Sequence, residues 1–366
     1  MKLLAKTDKL FLISTLVLVS FGFFIFLSAA MGLATRDGAS FAKVVLNQAI
    51  IGIIGGGIVF FIAASIKYEY WKKWSFYIFI LALLLTACVF IPWLGWSHGG
   101  AKRWIEIGGF TFQPAEILKL AYVLYLGAWL SKVKDKVSTW TYGFLPFCVI
   151  TAIPAALLLA QPDTDTTAVM ITAGLAMYFV AGAKWKHIFT LILFSAIVLA
   201  ALVFTRPYLM DRVKTYINPL SDKLGSSYQV QQSLIALGSG GVIGNGFGQS
   251  LQKFKYLPEP IGDSIFSVAG EEFGFVGTTI LIALYIIFVT RGFHVGAHSR
   301  ESFGRLVAVG IVILIIGQVF LNIASMVGLV PISGLTLSFI SHGSTSLMVA
   351  LGEAGIILNI SRYKIT

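Results

Sequence analysis

Apolar runs of about twenty residues recur from Phe11 to Ile360. A helix needs about 20 apolar residues to cross the hydrocarbon of a bilayer. Hydrocarbon offers no partner to backbone N–H and C=O groups outside a helix or a closed barrel. On that template ten spans are expected, near 10–33, 44–66, 74–95, 115–131, 143–160, 166–182, 187–205, 266–290, 305–327 and 337–360. The fold class is therefore all-α: a polytopic membrane protein of about ten transmembrane helices, with one large loop, 206–265, between spans seven and eight. Residues 1–366 read as a single membrane domain. Charged residues make up only 12% of the chain, about half the roughly 25% of a soluble domain. This excludes a soluble enzyme, a disordered chain and a disulfide-stapled secreted domain. Cys88 and Cys148 both fall inside apolar runs. The run Phe11–Met31 is too long for a signal-peptide core and reads as a span.

Lysine and arginine orient the bundle. One set of loops holds Lys2, Lys6, Lys9, Lys67, Lys72, Lys73, Lys132, Lys134, Lys136, Lys184, Lys186, Arg291, Arg300, Arg305, Arg362 and Lys364. The short loops on the other side hold only Arg36, Lys43, Lys102 and Arg103. Short basic loops stay inside, so both termini are expected in the cytoplasm. The net charge of +11 follows this topology, and no nucleic-acid partner is implied. The cytoplasmic loops leave no room for a nucleotide domain, which disfavours an ATP-driven pump. Three polar features fall outside: 96–114, Gln161–Asp165 and 206–265.

Ionisable residues inside a membrane are expensive and usually functional. Span four opens Gln113-Pro114-Ala115-Glu116-Ile117-Leu118-Lys119. Pro114 suits a first helical turn, and Glu116 and Lys119, at i and i+3, share one helix face. They form either a structural ion pair or a polar face that grips a substrate; converging charges on the same side favour the second. Asp263 stands just before span eight. Glu271 and Glu272 lie at its start, where helix N-terminal charge complementing the macrodipole is the plain explanation. Glu353 sits within span ten with no partner that the sequence names. Gly52-xxx-Gly56 and Gly270-xxx-Gly274 have the spacing of close helix packing.

The outer loop collects amides, hydroxyls and cations around a glycine-rich run, Gly238–Gly248. Such backbone either lets amides approach an anion or simply makes turns. A loop of this length in a compact bundle is usually functional, and its chemistry suits a phosphate-bearing substrate with sugar hydroxyls. The five histidines lack metal-ligand spacing. His187, His294 and His298 read as solvated surface, and His342 could bond a substrate or a neighbouring helix.

Taken together these motifs closely resemble the SEDS family (shape, elongation, division and sporulation) over nearly the whole chain. The resemblance is carried by Gly100-Ala101-Lys102-Arg103-Trp104, by Gln113-Pro114-Ala115-Glu116 with Lys119, and by Gln161-Pro162-Asp163. It continues in Gly225-Ser226-Ser227-Tyr228-Gln229 with Gln232-Ser233, Gly246-Phe247-Gly248-Gln249-Ser250, Tyr256-Leu257-Pro258-Glu259 with Asp263, and Gly270-Glu271-Glu272-Phe273-Gly274. Asn322, Pro331, Gly334-Leu335-Thr336-Leu337 and Phe339-Ile340-Ser341 complete it. The stretches 228–233 and 246–259 look more like the division branch (FtsW-like) than the elongation branch (RodA-like). Ile261-Gly262 before Asp263, Ser264 after it, and His342 after Ser341 depart from the family pattern.

The resemblance implies a peptidoglycan glycosyltransferase of the bacterial cytoplasmic membrane that polymerises lipid II into glycan strands in cell division. The acceptor 4-hydroxyl would attack the anomeric carbon of the growing strand, with inversion and loss of undecaprenyl pyrophosphate. Asp263 would be the general base. Lys119, then Arg103 and Lys102, would hold the departing pyrophosphate. Glu116 would orient Lys119 or help hold a divalent cation, Mg or Mn; the sequence itself requires no cofactor. Gln113, Gln161, Asp163, Tyr228, Gln232, Ser233, Glu259, Glu272 and Ser341 are the expected substrate contacts. The implied partners are a class B penicillin-binding transpeptidase and other division-complex membrane proteins. A lipid II flippase, a non-catalytic scaffold, and a polymerase of elongation or sporulation are the alternatives.

Overall fold

The computed structural model describes residues 7–34, 38–98, 101–108, 110–218 and 226–363. Lys2, Lys6, Arg36, Lys223 and Lys364 of the charge pattern, and Gly100 and Gly225 of the motifs, lie outside them. The side chains of His98 and Ser226 do too.

Among the described residues, eight helices are long and apolar enough to cross a membrane: Lys9–Ala34, Gly38–Ser65, Tyr68–Phe90, Trp140–Ala160, Trp185–Thr205, Ile265–Ala297, Ser302–Met326 and Ser344–Tyr363. The other two expected spans are helical as well. Thr164–Val180 is apolar but shorter, and Pro114–Val133 carries Glu116 and Lys119 in its first two turns. In chain order the α-helices are α1 (Lys9–Ala34), α2 (Gly38–Asn47), α3 (Gly56–Ser65), α4 (Tyr68–Ala87), α5 (Pro114–Val133), α6 (Leu145–Ala160) and α7 (Thr164–Val180). They continue as α8 (Trp185–Thr205), α9 (Pro207–Ile217), α10 (Ser226–Ser239), α11 (Gln252–Lys255), α12 (Ile265–Ala297), α13 (Ser302–Met326) and α14 (Ser344–Ile360). A π-helical stretch, Gln48–Gly55, joins α2 to α3.

The bundle closes around α13 and α14, whose side chains are mostly buried. Gly52 and Gly56 let the second span press onto α14: a Cβ at Gly56 would lie 2.6 Å from Leu351 Cδ1. The packing expected of that Gly-xxx-Gly pair is therefore present. By contrast α8 is buried only at His187, Ile188 and Leu191 and otherwise faces outward.

Four features correct the reading of the sequence. Residues 96–114 hold a small antiparallel sheet, β1 (Gly95–His98), β2 (Ala101–Ile107) and β3 (Phe110–Phe112), in the order β1-β2-β3. The apolar run 337–343 is not helical: α14 begins at Ser344, and Phe339 takes φ +69°. Hydropathy marks burial, and this segment is buried as a loop inside the bundle. His187 is buried, not solvated; its Nδ1 meets Tyr178 Oη at 3.0 Å.

Last, Gly274 does not simply pack: at φ +65° it breaks α12. In an unbroken helix the amides of Phe275 and Val276 would bond the carbonyls of Glu271 and Glu272. Here they donate to Gly241 O (2.9 Å) and Val242 O (3.0 Å), while Asn245 N and Gly246 N donate to Glu271 O and Glu272 O, both at 3.0 Å. The glycine-rich loop thus replaces two missing rungs with four bonds. A Cβ at Gly274 would lie 2.3 Å from Gly244 N. These loop amides serve a turn and a helix break, which decides between the two readings of the run.

Candidate active site

Asp263 lies in the short turn between α11 and α12. Its neighbours are fixed from three sides. Asn322 of α13 donates from Nδ2 to Asp263 O (2.7 Å). Ser341 donates from Oγ to Gly262 O (2.6 Å), and the His342 amide donates to Ile261 O (2.7 Å). On α10, Gln229 Nε2 donates to Ser264 Oγ (3.0 Å). Burial pushes the Asp263 carboxyl up to about 6; the Glu259 charge adds to the rise, and hydrogen bonds from Gln229 and Ser264 oppose it. Burial also lowers the His342 imidazole, and its ring stacks on Phe26.

Deeper in the bundle, Lys119 Nζ lies 3.0 Å from Glu116 Oε1 and donates to Gln318 Oε1 at 2.6 Å. Ser346 Oγ donates to Glu116 Oε2 (3.2 Å). Glu353 stands within electrostatic reach of both Lys119 and Glu116, which supplies the partner its sequence position left open. One ammonium thus faces two carboxylates in a buried site.

The two clusters are joined. Gln318 and Asn322 are one turn apart on α13. Gln318 Nε2 donates to Thr336 O (3.0 Å) and Thr336 Oγ1 (3.1 Å), and Asn322 Nδ2 donates to Leu335 O (2.8 Å). The segment 329–343 is therefore a hub. The Asp165 carboxylate accepts from Gly334 N (3.2 Å) and pairs with Arg212 of α9 at 2.9 Å. Tyr216 Oη donates to Leu329 O (3.0 Å). Gln48 accepts from the Gly343 amide and donates to Ser341 O, both at 3.3 Å.

The remaining expected site residues divide. Lys102 and Glu259 are exposed, and Arg103, Gln113, Tyr228 and Gln232 are half-buried at the same end of the bundle. Arg103 donates to the carbonyls of Gln161 and Pro162 and approaches Asp163 at 3.8 Å. Gln113 Nε2 reaches Asp163 Oδ2 at 3.3 Å. Asp163 also caps α7 through the Thr166 amide, and burial raises its carboxyl. Gln161 donates to Thr86 O (2.8 Å).

Gln161, Asp163, Ser233, Glu272 and Ser341 are buried and spent on internal bonds. These bonds position neighbouring segments, while Gln161 Oε1 and Glu272 Oε2 keep no hydrogen-bond partner among the described residues. Ser233 Oγ meets Met326 Sδ at 3.4 Å. Glu272 forms a buried ion pair with Lys253 (2.6 Å) and accepts from Ser28 Oγ (2.6 Å). Next to it, Glu271 accepts from Ser250 Oγ, Leu251 N and Gln252 N. These two acids tie down the loop; they do not merely complement a macrodipole.

Glu116 offers a metal one carboxylate that already faces an ammonium. Among the described residues no three of His, Cys, Asp and Glu converge to hold an ion.

Sequence reasoning missed Gln318, Gln48 and the positioning role of Asn322. Two amides one turn apart in an otherwise apolar span were the available signal.

A family model described as the cell cycle protein family FtsW/RodA/SpoVE matches residues 8–366. Stage V sporulation protein E of Bacillus subtilis (strain 168) is 38% identical over 359 residues, covering 97% of both chains. The probable peptidoglycan glycosyltransferase FtsW of Geobacter sp. (strain M18) is 37% identical over 357 residues, covering 97% of this chain and 96% of its own. Among solved structures, a chain from a study of structural coordination of polymerization and crosslinking by a peptidoglycan synthase complex superposes with a TM-score of 0.80 at 25% identity, covering 98% of each. The rod shape determining protein RodA of Thermus thermophilus superposes at 0.73 with 24% identity, covering 99% of each, and shows the same fold. With the family model spanning almost every residue, this multi-pass membrane chain belongs to the FtsW/RodA/SpoVE family, the SEDS family.

Proposed function

We propose that this protein is a peptidoglycan glycosyltransferase that polymerises lipid II at the outer leaflet. The observation that carries this reading is Asp263. It is a largely buried carboxylate with a pKa raised to about 6, held by backbone bonds that leave its oxygens to weak partners. A base must take the proton of the acceptor 4-hydroxyl as the C–O bond forms, and a base poised near the working pH does this best. The anomeric C–O bond to undecaprenyl pyrophosphate breaks in the same inverting displacement. Lys119, with Arg103 and Lys102 nearer the surface, compensates the charge gathering on the pyrophosphate.

The distribution of Lys and Arg supports a cytoplasmic side for both termini, with Asp263 opening outward. The division role is the finer reading, supported by motif wording and by relatives named FtsW; the sporulation relative is as similar. A class B penicillin-binding transpeptidase is the proposed partner, in keeping with the synthase complex whose chain this fold matches.

The test is incubation of the purified protein with lipid II, alone and with that transpeptidase, beside Asp263→Asn. A glycan ladder that vanishes in the variant supports the reading. No ladder, with lipid II crossing protein-containing vesicles, would replace it with a flippase. Loss of septa, of rod shape or of sporulation on depletion assigns the branch.

A further inference from the structure

At the end of the bundle opposite Asp263, a cavity of about 400 Å³ is lined by Leu130, Lys134, Asp135, Val180, Arg300, Ser302 and Arg305 among others. The Arg300 amide donates to Tyr363 O, and Asp8 bonds Ser361 and pairs with Arg291 nearby.

Three cations from separate elements converge here. Lys134 ends α5, Arg300 comes from the α12–α13 connection, and Arg305 stands in the first turns of α13. Three other basic residues of this face are engaged. Arg291 pairs with Asp8, Arg362 bonds Ala64 O, and Lys136 lies over the Tyr142 ring. Among the described residues, by contrast, Lys134, Arg300 and Arg305 make no ion pair within 4 Å, and the cavity holds one carboxylate, Asp135. Glu301 is turned away, to Lys72 at 3.8 Å.

The helix start beside these cations also favours an anion. The N-terminus of α13 has no side-chain cap and no acidic residue in its first turn. Its free amides and positive dipole end share the cavity edge with two arginines, an arrangement that favours separation unless something negative sits between them.

We propose that Lys134, Arg300 and Arg305, with the uncapped start of α13, bind the phosphate of an anionic phospholipid. Basic pockets between membrane helices suit such headgroups, and Val180, 40% exposed, leaves an apolar wall for the chains to pass. The inner leaflet follows from the orientation proposed above; the site itself depends neither on it nor on glycosyl transfer.

The test places the full chain in nanodiscs of equal phosphatidylcholine and phosphatidylglycerol and counts retained lipid by native mass spectrometry. Wild type should retain phosphatidylglycerol selectively. Retention should fall about a hundredfold in K134Q/R300Q/R305Q and stay unchanged in K132Q/K136Q. D135N should strengthen retention, an effect that misfolding cannot imitate. Equal retention of both lipids, or equal loss in both multiple variants, would overturn the site. Displacement of the lipid by millimolar inorganic phosphate would overturn the lipid assignment in favour of a soluble anion.

Discussion

Asp263 and the pair Glu271–Glu272 lie within ten residues of each other, yet they do opposite things. The pair is committed to internal partners, although Glu272 Oε2 has no hydrogen-bond partner among the described residues. Glu272 has an ammonium and a hydroxyl at 2.6 Å, and Glu271 has two amides and a hydroxyl. Every partner belongs to α1 or to the residues around α11, so the pair fixes the loop that leads to the site. Asp263 is anchored through its backbone carbonyl by Asn322, and among the described residues its carboxylate has only Gln229 and, at 3.5 Å, Ser264 Oγ as hydrogen-bond partners. Chemistry is available where a carboxylate is held by its backbone and left hungry at its oxygens. A carboxylate committed to internal partners is architecture.

The sharpest test of that contrast is Asp263→Asn, which should lower polymerisation by about 10³-fold, within the range for loss of a general base, without unfolding the protein. Wild-type polymer yield would break the assignment.

Glu272→Gln or Lys253→Met should act the other way round. Leaving one partner of a buried pair costs about 3–5 kcal/mol, read as a lower melting temperature in detergent, with activity lost only in step with unfolding. An unchanged melting temperature would erase the distinction between the two acids.

Lys119→Ala should lower turnover by about 100-fold, the low end of the scale for a lost donor to developing charge, and Lys255→Ala much less. Equal losses would argue that the buried ammonium has no special place.

pH separates the two regions as well. The rate should rise about tenfold per pH unit below 6 and flatten above it as Asp263 ionises. For stability the sign reverses. An acid whose pKa is raised on folding favours the folded state while protonated, and this is lost as pH climbs from about 4 through 6. Asp263→Asn should therefore melt no lower than wild type at pH 8. A flat rate profile between pH 5 and 7 would remove Asp263 as the base.

The smallest effect is expected from Ser341→Ala, which frees Gly262 O and should cost about 1 kcal/mol of stability. It should also shift the pH profile, a change that a purely structural serine would not produce.

Much of this was legible in the chain. The apolar runs gave the spans because hydrocarbon admits little else, and Glu116–Lys119 declared itself by helical spacing. The segment 337–343 misled because a buried loop and a buried helix have the same hydropathy. Gly270-xxx-Gly274 misled because spacing cannot reveal that the second glycine adopts φ +65°. The commitment of Glu272 to Lys253 was invisible for another reason: nothing local says which of six loop cations folds back into the protein.

The break in α12 has a consequence for how the molecule is made. Two carbonyls and two amides interrupted within an apolar span cannot be left bare in lipid. The backbone that satisfies them, 241–246, precedes the helix in the chain. It is therefore synthesised before the break that it must satisfy, and its backbone is available when the span forms. Moving that loop to the C-terminal side of the helix, with every contact kept, would deliver the span before its partner.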